Sequence, residues 1–159
     1  MTTLYVREGE EYREAKAQDV FERAQALMAQ RFRVGAPVMD SPKRTGEFLK
    51  LKLGTLDHEI FSVLFLDNRH RLIEYVELFR GTIDGAAVHT REILKEALAR
   101  GAAAVICAHG HPSGDPTPSL ADEQVTLRLK EALALLDIRL LDHFIIGNTI
   151  CSMAERGLL

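Results

Sequence analysis

Ala102-Ala-Ala-Val-Ile-Cys-Ala-His109-Gly-His111-Pro-Ser-Gly-Asp-Pro-Thr-Pro-Ser119-Leu-Ala-Asp122 joins an apolar run to a turn and then to a helical pattern. Strand side chains alternate with period two at a rise of roughly 3.3 Å per residue, so a strand ending in His-Gly-His puts both imidazoles on one face. Residues 112–118 are turn chemistry throughout, and the chain is expected to fold back before Ser119, where a helix starts. Asp122 then falls in the first turn of that helix, able to aim its carboxylate at the same spot as the imidazoles. Two imidazoles and a carboxylate leave a fourth position open, the arrangement expected of catalytic rather than structural zinc.

The parts of this stretch also have simpler readings. Ser119-Leu-Ala-Asp122 matches a capping box, in which serine and acid satisfy orphan amides at a helix start. A histidine pair at a strand end is compatible with plain solvent exposure. The pair, the forced turn and the serine–aspartate spacing together are much rarer than any one of them, and together they point to a metal site.

Working outward, a length of 159 residues at 47% hydrophobic composition suits one domain with a proper core. The sequence shows no charged-then-apolar leader and no apolar run near the length of a membrane span, so the expected location is the cytoplasm, without a membrane partner. Cys107 and Cys151 sit in apolar, strand-like surroundings and in a reducing compartment read as small buried hydrophobes rather than disulfide partners. Cys107 shares a strand face with His109, so a ligand role for it is conceivable.

Residues 1–11 are polar and acidic, with only Leu4, Tyr5 and Val6 as packing signals, and are expected to form a tail or a stray edge strand. From Tyr12 to about Phe32 the residues Ala17, Val20, Phe21, Ala24, Leu27 and Met28 recur at three- and four-residue steps, the pattern of an amphipathic helix. Gly35-Ala-Pro37 ends it. The chain thus divides into residues 1–36, tail and helix, and residues 37–159, the main domain. Ser41-Pro42 supplies an N-cap and first-turn proline for a helix to Leu53, closed by Gly54. Glu59 to Leu66 and Arg71 to Phe79 read as a hairpin about Asp67-Asn-Arg-His70. A helix after His89-Thr90 carries Ile93, Leu94, Ala97 and Leu98 on one face and ends at Gly101. Beyond the opening stretch come a helix to about Leu136, a strand from Ile138 to Ile146, a short strand at Thr149 to Cys151 and a final turn. Strands and helices interleave without a strict repeat, which gives an α/β class with a mixed β-sheet flanked by helices.

The segment from Gln30 to Leu56 holds six basic and two acidic side chains, a net of plus four, which leaves minus seven for the rest of a chain whose formal charge is −3. Such a surplus is either an ordinary exposed helix face or an attraction for nucleic acid or an acidic partner.

The spacing His-x-His, seven residues, Ser, two residues, Asp resembles the JAMM (MPN-plus) metalloprotease motif, and His109-Gly-His-Pro-Ser-Gly-Asp-Pro116 is similar to the RadC-like branch of that superfamily. The similarity continues through Val63-Leu-Phe-Leu-Asp-Asn-Arg-His-Arg71, Val88-His-Thr-Arg-Glu-Ile93, Leu141-Asp-His-Phe-Ile-Ile-Gly147 and Ala154-Glu-Arg-Gly157, covering about residues 37–159. It implies a cytidine-deaminase-like JAB/MPN fold with Zn2+ held by His109, His111 and Asp122. Gly110 stands where the branch usually has Asn, a departure that bears on a hydrogen bond behind the histidines and not on the ligands.

Hydrolysis by such a site also needs a carboxylate to accept the water's proton. Glu59, Glu74 and Glu77 all fall on expected strands, and spacing does not choose among them. The resemblance implies Glu59, since the family's glutamate opens the first strand of this hairpin. Ser119 is either a donor to the developing oxyanion or only the helix cap. His58, His70, His89 and His143 read as ordinary polar satisfaction or exposure, although His89 and Arg91 resemble a recurrent His-x-Arg-Glu element of the branch.

Three functions follow as expectations. The first is a zinc metallopeptidase or isopeptidase acting on a peptide or protein, with an extended peptide pairing at a strand edge near Ala108 to His111. The second is a DNA-repair or nucleic-acid-processing accessory, drawn from the name of the branch and the basic 30–56 segment. The third is a non-catalytic, zinc-stabilised binding module. The acidic net charge weighs against broad DNA binding. The chain is also expected to be a short form, lacking the helix-hairpin-helix region that long RadC-like proteins carry before this domain.

Overall fold

The computed structural model of the chain describes residues 3–33, 37–54, 58–81 and 88–159. It divides into two compact units, Met1–Ala36 and Pro37–Leu159. In the first, β1 (Tyr5–Glu8) and β2 (Glu11–Glu14) pair antiparallel, and α1 (Ala17–Arg33) follows. The expected tail is therefore a hairpin, turned at Gly9, whose φ of +66° is one glycine adopts freely. The start of α1 is tied to that hairpin. Asp19 accepts two bonds from the Arg13 guanidinium, at 2.7 and 2.8 Å, and one from the Lys16 amide at 2.8 Å. Arg13, then Lys16, hold its carboxyl well below the usual carboxylate range. The expected break at Gly35 and Ala36 lies outside the described residues.

The second unit opens with α2 (Pro42–Leu53), capped as its sequence dictates: Ser41 Oγ accepts from the Arg44 amide, and the Gly54 amide donates to Lys50 O. Strands β3 (Ile60–Leu66) and β4 (Leu72–Arg80) form the hairpin. Its turn is held by Asp67, which accepts from the Arg69 and Arg71 amides and from the Arg71 side chain. Then come α3 (Thr90–Ala99), β5 (Ala104–Gly110), α4 (Leu120–Ala134), β6 (Arg139–Ile146) and β7 (Ile150–Ser152). The five strands make one sheet in the order β4-β3-β5-β6-β7, in which the β5–β6 pair, joined through α4, is parallel and the rest are antiparallel. This is the mixed α/β sheet flanked by helices that the sequence predicts.

Strands β3 and β5 are buried along their whole length, which is why they read as apolar runs rather than as alternating ones. On one face Phe61, Val63, Phe65, Val105 and Cys107 pack with Ile93 and Ala97 of α3 and Leu129 and Leu133 of α4. Thr45, Gly46, Phe48, Leu49 and Leu53 are the buried positions of α2, which packs on β5, β6 and β7. Leu98, expected on the inner face of α3, is 57% exposed, because the buried stripe narrows to Ile93 and Ala97. Both cysteines are buried and unbridged. Truncating a core position such as Leu133, fully buried between α4 and the sheet, is expected to cost about 2–5 kcal/mol, read from the urea midpoint of Leu133→Ala against the parent.

Strand β5 lies between β3 and β6, and Ala108 and His109 are paired on both sides. The expectation that a peptide adds to a strand edge at Ala108 to His111 therefore fails at those two residues, since their ladder bonds are already taken within the sheet.

Candidate metal centre

The strand alternation that buries Val105 and Cys107 carries on to His109, which is 1% exposed, and then to His111 just beyond β5. Gly110 points the other way: a Cβ there would meet Leu53 O at 3.5 Å and Ile146 O at 3.9 Å, ordinary contacts on the opposite face. Past His111 the loop is folded tightly. His111 N donates to Ile146 O (2.8 Å), Gly114 N to His111 O (2.9 Å) and Asn148 N to Gly114 O (2.7 Å). Gly114 has a φ of +82°, and a Cβ on it would stand 2.6 Å from Asn148 Nδ2, so this close approach to the β6–β7 turn requires glycine.

The helix brings the third group. Ser119 is the N-cap of α4, and it forms with Asp122 the capping box that the sequence offered: Asp122 N donates to Ser119 Oγ, while Asp122 Oδ2 accepts from Ser119 N at 2.7 Å and Ser119 Oγ at 2.6 Å. The capping box does not exclude the metal reading, because Oδ1 is left facing His109. His109 Nε2 lies 2.9 Å from His111 Nε2 and 3.1 Å from Asp122 Oδ1, and His111 Nε2 lies 3.7 Å from Asp122 Oδ2. Burial works to raise the Asp122 pKa, but the hydrogen bond and charge of His109, then the bonds from Ser119, outweigh it and hold the carboxyl well below its usual range.

His109, His111 and Asp122 thus form a group able to hold a metal ion. The donor set fits zinc. Ligands at 2.0–2.1 Å around a tetrahedral ion stand roughly 3.3 Å apart, and one donor atom from each of the three residues lies within 4.8 Å of the others. His111 Nδ1 lies 2.7 Å from the Asp115 carbonyl, which can only accept, so His111 keeps its proton there and presents a lone pair at Nε2.

The residue behind His109 is one that reading the sequence left without a role. His143 is fully buried, with its Nε2 2.9 Å from His109 Nδ1 and its Nδ1 2.6 Å from Thr126 Oγ1. Burial first, then the charge of His109, hold its pKa well below the ordinary histidine value. A signal existed: an imidazole inside the apolar run Leu140 to Ile146 must find a polar partner when buried. Phe61 completes the wall, its ring stacked on His109 at 6.1 Å and edge-on to His143 at 5.3 Å.

Glu59 is half-buried just before β3, its carbonyl fixed by the Gly81 amide. Since Phe61 pairs with His109 in the antiparallel β3–β5 register, Glu59 stands where that register, continued, falls opposite His111. The competing glutamates are engaged elsewhere, Glu74 with Arg100 and Glu77 with Arg80. Cys107 is outside the group, packed in the core. In the basic segment Arg44 pairs with Asp40, Lys52 lies over the Tyr75 ring, and Lys50 donates to Asn148 O at 2.7 Å. Asn148 and His111 both line a cleft of about 100 Å³ that also takes in Leu53, Gly54 and Gly110. The side chains of Arg31 and Arg33 lie outside the described residues.

A mixed α/β sheet with a His-x-His pair at a central strand end and a helix-borne aspartate beside it belongs to the JAB/MPN class of domains. Residues 39–158 match the RadC-like JAB domain model, and the chain belongs to that family. It is 56% identical over 140 residues to a UPF0758 protein of Vibrio cholerae serotype O1, covering 88% of each chain. Against a UPF0758 protein of Marinobacter nauticus it is 56% identical over 146 residues, covering 91% of this chain and 65% of that one. A UPF0758 protein of Leptothrix cholodnii is 59% identical over 124 residues, and the chain spans 56% of its length. Among the described residues no helix is long and apolar enough to cross a membrane.

Proposed function

We propose that this protein is a zinc-dependent hydrolase of the metallopeptidase or isopeptidase type, acting on a peptide or protein amide. The observation that carries the reading is the convergence of His109 Nε2, His111 Nε2 and an Asp122 carboxylate oxygen, with His111 fixed as the Nδ1–H tautomer. A zinc ion at this set supplies a Lewis acid for the scissile carbonyl and lowers the pKa of water toward roughly 7. The remaining work falls to the chain's own groups. Glu59, at the register position facing His111, takes the proton of the attacking water and passes it to the leaving amine. Ser119 holds the Asp122 carboxylate through its hydroxyl proton. Rotated off that oxygen, the hydroxyl can donate to the developing oxyanion, a contribution of about 3 kcal/mol when well placed.

The test is turnover of fluorogenic peptide and isopeptide-linked substrates by the purified protein. Cleavage is expected to stop when a chelator removes the metal and to return on adding one equivalent of zinc. Zinc binding without turnover would favour the binding module, and salt-sensitive DNA binding without turnover the nucleic-acid accessory.

A further inference from the structure

We propose that His143 and Thr126 are positioning residues that keep a proton on His109 Nδ1, so that Nε2 is the nitrogen His109 offers to a metal held with His111 and Asp122. The inference rests on the metal reading of that group, and it follows the protons one bond at a time.

Thr126 is one turn beyond Asp122 on α4, on the stripe that continues to the buried Leu129 and Leu133. The packing that seats those leucines therefore also seats Thr126 against His143. Thr126 is 1% exposed, and its Oγ1 lies 2.6 Å from the Asp122 carbonyl and 2.6 Å from His143 Nδ1. A hydroxyl carries one proton, and the carbonyl can only accept. Were the proton aimed at His143, two oxygens without a hydrogen between them would be pressed together at 2.6 Å. The proton accordingly goes to Asp122 O, and His143 must donate from Nδ1 to Thr126. His143 Nε2 is then the acceptor for His109 Nδ1–H at 2.9 Å, and Nε2 is the nitrogen left for His109 to offer to a metal. Asp122 is thus joined to His109 twice: its carboxylate stands beside His109 Nε2, and its backbone carbonyl anchors the chain that orients the same imidazole from behind. His111 has its own anchor in the Asp115 carbonyl, so the two imidazoles are set independently. Outer partners of this kind typically change metal affinity by about 10–100-fold when removed.

Two measurements decide it. In the metal-free protein, long-range 15N–1H correlation of the histidine rings is expected to show His109 protonated on Nδ1. A His109 without a proton on Nδ1 would overturn the inference whether or not the protein binds zinc. Zinc affinity, by competition with a chromophoric chelator, is expected to fall by about 10–100-fold in His143→Phe and in the near-isosteric Thr126→Val. It should largely return in His143→Gln, whose side-chain oxygen can accept from His109 Nδ1–H. If His143→Phe does not fold, Thr126→Val carries the comparison. Variants that lower the unfolding midpoint of the metal-free protein yet bind zinc as tightly as the parent would mean a packing role only. A parent that binds no zinc while His109 is protonated on Nδ1 would overturn the metal reading and, with it, any role of the tautomer in metal binding.

Discussion

Zinc content is expected to fall from about one ion per chain to background when His111 is replaced by alanine. The side chain of His111 is 20% exposed and its Nδ1 bonds to a turn carbonyl, so its loss removes a ligand without opening the core. Two protein ligands remain, too few for a site that starts with three. His109→Ala is expected to lose the metal as well, but it also cuts the bond to His143 and the stacking on Phe61, and should lower stability in the absence of metal. Atomic absorption on protein purified without chelator reads the first effect. Thermal unfolding with and without zinc reads the same effect independently. Binding to the native state alone stabilises by about 2.7 kcal/mol at a hundredfold excess over Kd, and that increment should disappear in His111→Ala. Unchanged zinc content in both variants would place any bound metal elsewhere.

Glu59→Gln is expected to keep zinc and fold while turnover falls by about 10²–10⁴-fold, the usual share of a positioned general base. The amide retains the shape of the carboxylate and cannot take a proton. Glu59 is held through its backbone carbonyl by the Gly81 amide, a bond the substitution leaves in place. Metal analysis and turnover on the same sample separate the outcomes. Loss of zinc would make Glu59 a ligand, and unchanged turnover would move the base to another group.

Much of the fold was legible because its signals are local. The two central strands announce themselves as apolar runs because both their faces are buried. Ser41 and Ser119 cap the helices their spacing implies. The ligand group was legible for the same reason, since period-two alternation, a forced turn and a first-turn aspartate all act within fourteen residues, His109 to Asp122. What stayed hidden depends on partners far along the chain. The bond of His143 to His109 spans 34 residues and exists only because β5 and β6 run parallel in one register. The bond to Thr126 needs the rotation of α4 that packing of Leu129 and Leu133 imposes. The β1–β2 hairpin escaped because most of its short strands is charged, without the apolar alternation that marks a half-buried strand. The central position of β5, which removes the edge expected at Ala108 and His109, is a matter of strand order that no local pattern encodes.

The most direct measurement is anomalous diffraction at the zinc edge from crystals of protein purified without chelator. One peak is predicted, about 2.0–2.1 Å from both His109 Nε2 and His111 Nε2 and about 2.0–2.2 Å from an Asp122 carboxylate oxygen. No peak at that position, or a peak bound by other residues, would contradict the account.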